Sequence, residues 1–202
     1  MDLFQTEPVE KIKYIKGNPF AAHIAFRQLL ITGPPGSGKS TLVRKLGGWS
    51  EEGYIDLSRD KWWTAQCLSL RPREVHLGFP FKGFKQALAV FEKAWVEASP
   101  HPDLDLERIK LPPKKRYFFS VDWYKRYVFD FILPPTDILF ERRLARARRG
   151  THPVDTDLER EIVANQLLVY RRVALFMHQA GLIVYIREQD DALPHRIIET
   201  GV

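Results

Sequence analysis

The residues best suited to chemistry gather at Gly33-Pro34-Pro35-Gly36-Ser37-Gly38-Lys39-Ser40, which satisfies every fixed position of the pattern GxxxxGK[ST]. Glycines let a backbone curl until several N–H groups point at one place. A helix opening directly after such a loop presents its positive end to the same anion. Lys39 would add a point charge on the outer phosphates of a nucleotide and the Ser40 hydroxyl would ligate Mg²⁺, with Thr41 completing the run. The bland alternative is a glycine turn between a strand and a helix. The pattern therefore predicts binding of ATP with Mg²⁺.

Other candidates lie further along. Asp56 and Asp60 flank the end of a predicted strand, where a carboxylate can position an acceptor or take its proton; Asp60 alternatively caps the helix after it. Arg142, Arg143, Arg146, Arg148 and Arg149 form a dense cationic cluster. Arg142 and Arg146, at i and i+4, share a helix face and can both reach a phosphoryl group, whereas Arg143 and Arg149 cannot share that face, so part of the cluster is expected in solvent. Trp62 and Trp63 could stack on a planar substrate or divide between core and surface. The aromatic, glycine-bearing loop 76–83 is either a closing loop or a packed linker. The histidines show no metal-ligand spacing, and no Ser/His/Asp or Cys/His arrangement stands out.

These side chains need elements to hold them. Gln28–Thr32 reads as a buried strand feeding the glycine loop, and a helix from Lys39 or Ser40 runs until Gly47-Gly48. A second strand is expected at 54–57, then helices at 61–70 and 83–98, the latter ended by Ser99-Pro100. Residues 117–121 and 127–133 look strand-like, with Pro134-Pro135 closing the second. A helix follows at 137–149. Thr156-Asp157-Leu158-Glu159 reads as a capping box for a long helix that ends at Gly181, and 182–186 supplies a last strand. Residues 1–27 form a lead-in with a Gly17-Asn18-Pro19 turn signal and no assigned job. The remaining 28–202 make one domain.

Taken together, Pro135, Arg142 and Arg146 at intervals of seven and four residues, the loop 33–40, and Asp157, Glu161, Leu167 and Tyr170 beyond them resemble the nucleoside monophosphate kinases, adenylate kinase most closely. The resemblance implies a three-layer α/β P-loop NTPase fold with a mostly parallel five-stranded sheet, an acceptor-binding helical insert at about 60–115, and a short Arg-rich lid at about 142–156. It implies that Asp60 and Arg126 position the acceptor and that Asp122, in Ser120-Val121-Asp122-Trp123-Tyr124-Lys125-Arg126, supports the metal. Only five residues separate Val121 from Tyr127, too few for a parallel crossover, so residues 117–126 need not be the third strand, and Asp130 is then the alternative metal support. Two arginine positions of the family fall on Asp155 and Gln166.

Composition bounds the rest. The 202 residues carry 31 Lys+Arg against 25 Asp+Glu, a net charge of +6, and 45% are apolar, which excludes a disordered chain and suits one domain. Cys67 is alone, so no disulfide framework exists. No apolar stretch approaches the roughly 20 residues of a membrane span, and residues 1–17 lack an apolar signal core; a cytoplasmic setting is the expectation. The expected function is an Mg-dependent phosphotransferase moving the ATP γ-phosphoryl to a small acceptor such as a nucleotide or nucleoside. A nucleotide-gated ATPase or binding module controlling a protein or nucleic-acid partner is the alternative.

Overall fold

A computed structural model describes residues 3–22, 28–46, 54–56, 127–150 and 158–198. The expected helices at 61–70 and 83–98, the strand at 117–121, the loop 76–83 and residues Asp60, Trp62, Trp63, Asp122, Arg126 and Asp155 lie outside the described residues.

In chain order the elements are β1 (Gln5–Pro8), β2 (Ile12–Ile15), β3 (Asn18–Ala21), β4 (Gln28–Thr32), α1 (Lys39–Lys45), β5 (Tyr54–Asp56), β6 (Tyr127–Ile132), α2 (Thr136–Arg148), α3 (Arg160–Gln179), β7 (Ile183–Arg187) and β8 (His195–Ile198). The protein is α/β with a mixed sheet. Six strands run in the order β1-β8-β7-β6-β4-β5, with β5, β4, β6 and β7 parallel and β8 and β1 antiparallel beyond them. The five-stranded expectation is corrected at this edge. The segment expected as a lead-in contributes β1, which pairs with β8, itself absent from the expected elements. Pro8 and a length of four residues keep the new edge from recruiting further strands.

Side chains two apart along a strand share a face, which divides the core. Ile31, Val128, Ile132 and Tyr185 meet Leu42 and Leu46 of α1 on one side, together with Phe20 and Ala21 of the β2–β3 hairpin. Phe129, Phe131, Val184 and Ile186 alternate to the opposite side and are equally buried. That side belongs to α3, which packs on β7, and to α2, which packs on α3. Val163, Leu167, Tyr170, Val173, Ala174 and Met177 give α3 its buried stripe at helical spacing. The hairpin turns at Lys16 and Gly17, with φ of 49° and 80°, because a two-residue turn with both φ positive matches the twist of its strands. The turn thus falls one residue before the expected Gly17-Asn18-Pro19, and Asn18 and Pro19 open β3.

The start of α3 also differs from expectation. Glu159 is extended (φ −96°, ψ 150°) and occupies the N-cap without a side-chain bond, so it is not the third helical residue that the expected capping box requires; Thr156 lies outside the described residues. Instead Arg160 Nε donates to Asp137 Oδ1 at 2.6 Å, joining the first turns of α2 and α3. That bond holds the Asp137 carboxyl below its ordinary value. Among the described residues no helix is long and apolar enough to cross a membrane.

One buried ion pair ties the layers together. Arg187, at the end of β7, donates from Nε to Asp130 Oδ1 of β6 at 2.9 Å, and its Nη2 stands 2.7 Å from Oδ2 as an ion contact without hydrogen-bond alignment. Nη2 also donates to Pro19 O at 3.1 Å, Nη1 to Asp190 O and Ala192 O at 3.3 Å each, and the guanidinium lies 4.9 Å from the centre of the Phe20 ring. Burial pushes the Asp130 carboxyl above its ordinary value against the pull of Arg187.

Next to it, burial and then the Asp130 charge push the Tyr185 phenol up to about 12. Since the unfolded chain ionises Tyr near 10, the folded form holds its proton longer, and this group costs stability as pH rises from about 10 to about 12. Urea melts of the wild type between pH 9 and pH 12 should show that fall, and Tyr185→Phe should flatten it. An unchanged slope in the variant would remove the assignment.

Candidate functional site

The glycine loop lies between β4 and α1, at the end of β4, which runs parallel to β5 on one side and β6 on the other. Gly33, Gly36 and Gly38 have φ of 145°, 79° and 111°, a region that other residues enter only with strain. The loop is therefore curled rather than extended. Ser37 N–H donates to Pro34 O at 3.2 Å, and Gly38 O takes the first bonds of α1 from Thr41 and Leu42, each at 3.0 Å. Lys39 is buried, and its Nζ donates to Gly33 O at 2.7 Å and Pro34 O at 2.8 Å. Ser40 and Thr41 are exposed on the first turn of α1, which carries no acidic residue. Pro35 is half-buried at the loop's outer bend.

Two glycines are required by what stands beside them. A Cβ on Gly33 would sit 2.3 Å from Ile132 O and 2.9 Å from Ser37 Oγ, and a Cβ on Gly36 would sit 3.0 Å from Arg143 Cγ, 3.3 Å from Arg146 Nη1 and 3.4 Å from Leu139 Cδ1. Because the Ile132 carbonyl is main chain in the middle of the sheet, Gly33→Ala cannot be relieved by a side-chain rotation. Strain and overpacking together should cost about 2 to 3 kcal/mol. A denaturant titration of Gly33→Ala measures this; a midpoint within error of wild type would contradict the packing described.

Leu139, Arg143 and Arg146, spaced i, i+4 and i+7, form the stripe of α2 that meets the loop. Arg146 is thus brought to the loop. Arg143 corrects the expectation that it could not share a face with Arg146, since both stand beside Gly36. It is 2% exposed, and its Nη1 donates to Gln166 Oε1 of α3 at 2.6 Å. Arg142 is half-buried one step around the helix, and Arg148 and Arg149 are exposed. The reason is angular: each residue turns the helix by 100°, so Arg143 falls beside Leu139 on the packed stripe. Gln166, where the resembled family holds an arginine, serves to hold Arg143.

Of the carboxylates singled out for the site, Asp56 and Asp130 fall among the described residues. Asp130, the alternative metal support, is 1% exposed and engaged by Arg187, so it has no free face for a cation. Asp56 ends β5 in register with Ile31, on the strand directly beside the one that feeds the glycine loop. Asp60, Asp122 and Arg126 lie outside the described residues, as does most of the expected lid at 151–156. Among the described residues no cluster of His, Cys, Asp and Glu has metal-binding geometry.

Asp190 was not singled out by the sequence. It sits in the β7–β8 turn with Cβ and Oδ1 each 3.5 Å from where a Cβ of Gly38 would be, and its Oδ2 meets Lys45 Nζ at 2.6 Å. The bond to Asp190 raises the Lys45 ammonium above its ordinary value. No local signal marks a residue some 150 positions away as the neighbour of a glycine loop.

Inside the loop, Thr32 Oγ1 and Ser37 Oγ are buried without a hydrogen-bond partner. Buried hydroxyls normally find one, so the pair marks polar capacity left open beside the glycines. Compared with protein-family models, curated proteins and solved structures, the chain matches none.

Proposed function

We propose that the chain binds ATP with Mg²⁺ in the loop 33–41, on a P-loop NTPase fold, and transfers the γ-phosphoryl to a small acceptor such as a nucleotide or nucleoside. The observation that carries this is the curled loop itself: three positive-φ glycines, a buried lysine hydrogen-bonded within the loop, and Arg146 leaning on Gly36. The open hydroxyls of Ser37 and Thr32 and the absence of acid in the first turn of α1 fit an anion there.

ATP with Mg²⁺ would supply the transferable group and the metal charge. The chain's own residues do the rest. With that group bound, Lys39 would exchange its two carbonyl bonds for phosphate oxygens, Ser40 would hold the metal, and Arg146, with Arg142 beside it, would neutralise the migrating group. Asp122 would support the metal, and Asp56, whose strand position ends β5 beside the strand that feeds the loop, would help position the acceptor. Asp60 takes the proton of the acceptor hydroxyl as its oxygen bonds to phosphorus and the bond to the β-phosphate oxygen breaks, while Arg126 positions the acceptor.

The use of Gln166 to hold Arg143 favours one second reading, a nucleotide-gated ATPase or binding module, because an acceptor grip is then lacking. Thermal unfolding with ATP·Mg²⁺ should raise the midpoint by mass action, and a nucleoside, nucleoside monophosphate or similar small acceptor should stimulate ATP consumption. Stimulation by a macromolecule alone favours the module. No thermal shift with any nucleotide removes both.

A further inference from the structure

The buried stripe of α3 is built from Val163, Leu167, Tyr170, Val173, Ala174 and Met177, yet it also buries the amide of Gln166. A leucine of similar size would fill that place without giving up contacts with water, so packing does not explain the choice. Its partner is equally costly to bury. Arg143 of α2 is taken from water along its whole length, and its Nη1 donates to Gln166 Oε1 at 2.6 Å. Two polar side chains buried to meet each other point to position rather than to packing.

What the bond positions is the other end of Arg143. The stem of that side chain backs the glycine loop, where Cγ stands 3.0 Å from the point a Cβ of Gly36 would occupy, nearer than Leu139 Cδ1 at 3.4 Å. Gly36, with φ of 79°, carries part of the loop's curl. A long side chain whose guanidinium loses a buried acceptor turns its head toward water and draws its stem along. The curl at Gly36 then loses the surface behind it. A second tie joins the first turns of α2 and α3, from Arg160 Nε to Asp137 Oδ1, but its side chains are 64% and 71% exposed, and an ion pair in water fixes little. The buried bond is the one able to set where α2 stands against the loop.

We propose that Gln166 is a positioning residue for the glycine loop: by holding the guanidinium of Arg143 it keeps that side chain's stem against Gly36, and so keeps the loop curled for a polyphosphate. Gln166 itself touches no ligand and acts through Arg143. The polyphosphate rests on the nucleotide reading above, whereas the bracing of the loop is a property of the chain without any ligand.

Amide hydrogen exchange of the full chain without nucleotide tests it, read on peptides covering 36–42 and on β6. The first contains the Ser37 N–H bonded to Pro34 O and the Thr41 and Leu42 N–H groups bonded to Gly38 O. Gln166→Asn draws the acceptor back by a methylene and should speed exchange at 36–42 about tenfold or more, with β6 within about twofold of wild type. Arg143→Ala removes the stem and leaves no buried charge; it should loosen the same peptide, and it carries the test should Gln166→Asn not fold. Gln166→Glu keeps an acceptor at the same reach and should restore exchange at 36–42 to within about twofold of wild type, as should Asp137→Asn at the exposed tie. The thermal shift given by ATP·Mg²⁺ should shrink in Gln166→Asn. The proposal is overturned by unchanged exchange at 36–42 in Gln166→Asn and Arg143→Ala, by equal acceleration in β6, by a Gln166→Glu protein as loose as Gln166→Asn, or by an equal effect of Asp137→Asn. A wild type that no nucleotide shifts removes the polyphosphate, and the exchange of the ligand-free chain still decides whether Gln166 braces the loop.

Discussion

Lys39→Ala is expected to lower turnover of ATP by at least about a hundredfold while leaving the protein folded. Its ammonium makes two short bonds, to Gly33 O and Pro34 O, and both acceptors are loop carbonyls that can turn to water when the side chain is cut back. Truncation therefore removes a charge from the polyphosphate site without opening the sheet. Circular dichroism and the melting midpoint should stay close to wild type, and the thermal shift given by ATP·Mg²⁺ should shrink with the turnover. Turnover undiminished in Lys39→Ala would remove the phosphotransfer proposal; Arg146→Ala, one layer out, should have a smaller effect in the same direction.

Arg187→Met should destabilise the fold by about 3 to 5 kcal/mol, the cost of leaving one member of a buried pair alone. Asp130 then keeps no counter-charge, while Pro19 O, Asp190 O and Ala192 O lose a donor together. The consequence reaches the site, because the turn held at Asp190 and Ala192 is the one lying against Gly38. The pH dependence has a definite sign. An isolated buried Asp130 has its carboxyl raised further above its unfolded value, so the folded variant binds the extra proton. Its stability is greatest below the unfolded value near 4 and is lost as pH rises through the folded one. Urea melts of Arg187→Met at pH 4 and pH 7 should thus differ more than those of wild type. Replacing both partners, Asp130→Leu with Arg187→Met, should recover a good part of the loss. A single variant as stable as wild type at pH 7 would show that the pair does not carry the contacts assigned to it.

Both predictions also bear on function through separate readouts. Lys39→Ala tests the anion site with the scaffold intact; Arg187→Met tests the scaffold with every loop residue in place. Should ATP still shift the melting midpoint of Arg187→Met, the glycine loop is formed by its own glycines and by β4 and β6, not by the turn beyond it.

Where local signals were strong, the sequence placed elements well. The strand Gln28–Thr32, the loop and the helix opening at Lys39 are legible because glycine positions with positive φ and an apolar run are fixed by neighbours in the chain. The strand at 127–133 and the helix at 137–149 match β6 and α2 within a residue or so at each end, since Pro134-Pro135 punctuates them. What the chain alone left hidden depends on residues far apart in it. Gln5–Pro8 is polar and short, and becomes a strand because β8, nearly 190 positions away, offers it a partner. Nothing in the run of five arginines distinguishes Arg143 as the buried one; Gln166, 23 residues further on, takes its guanidinium on the packed side of the helix. Asp130 carries the same carboxylate as any metal ligand, and only Arg187 at the end of the adjacent strand decides that it is taken. Periodicity and glycine chemistry act over a few residues and can be read in one dimension; charge pairing, burial and edge pairing are settled by which segments the sheet order sets side by side.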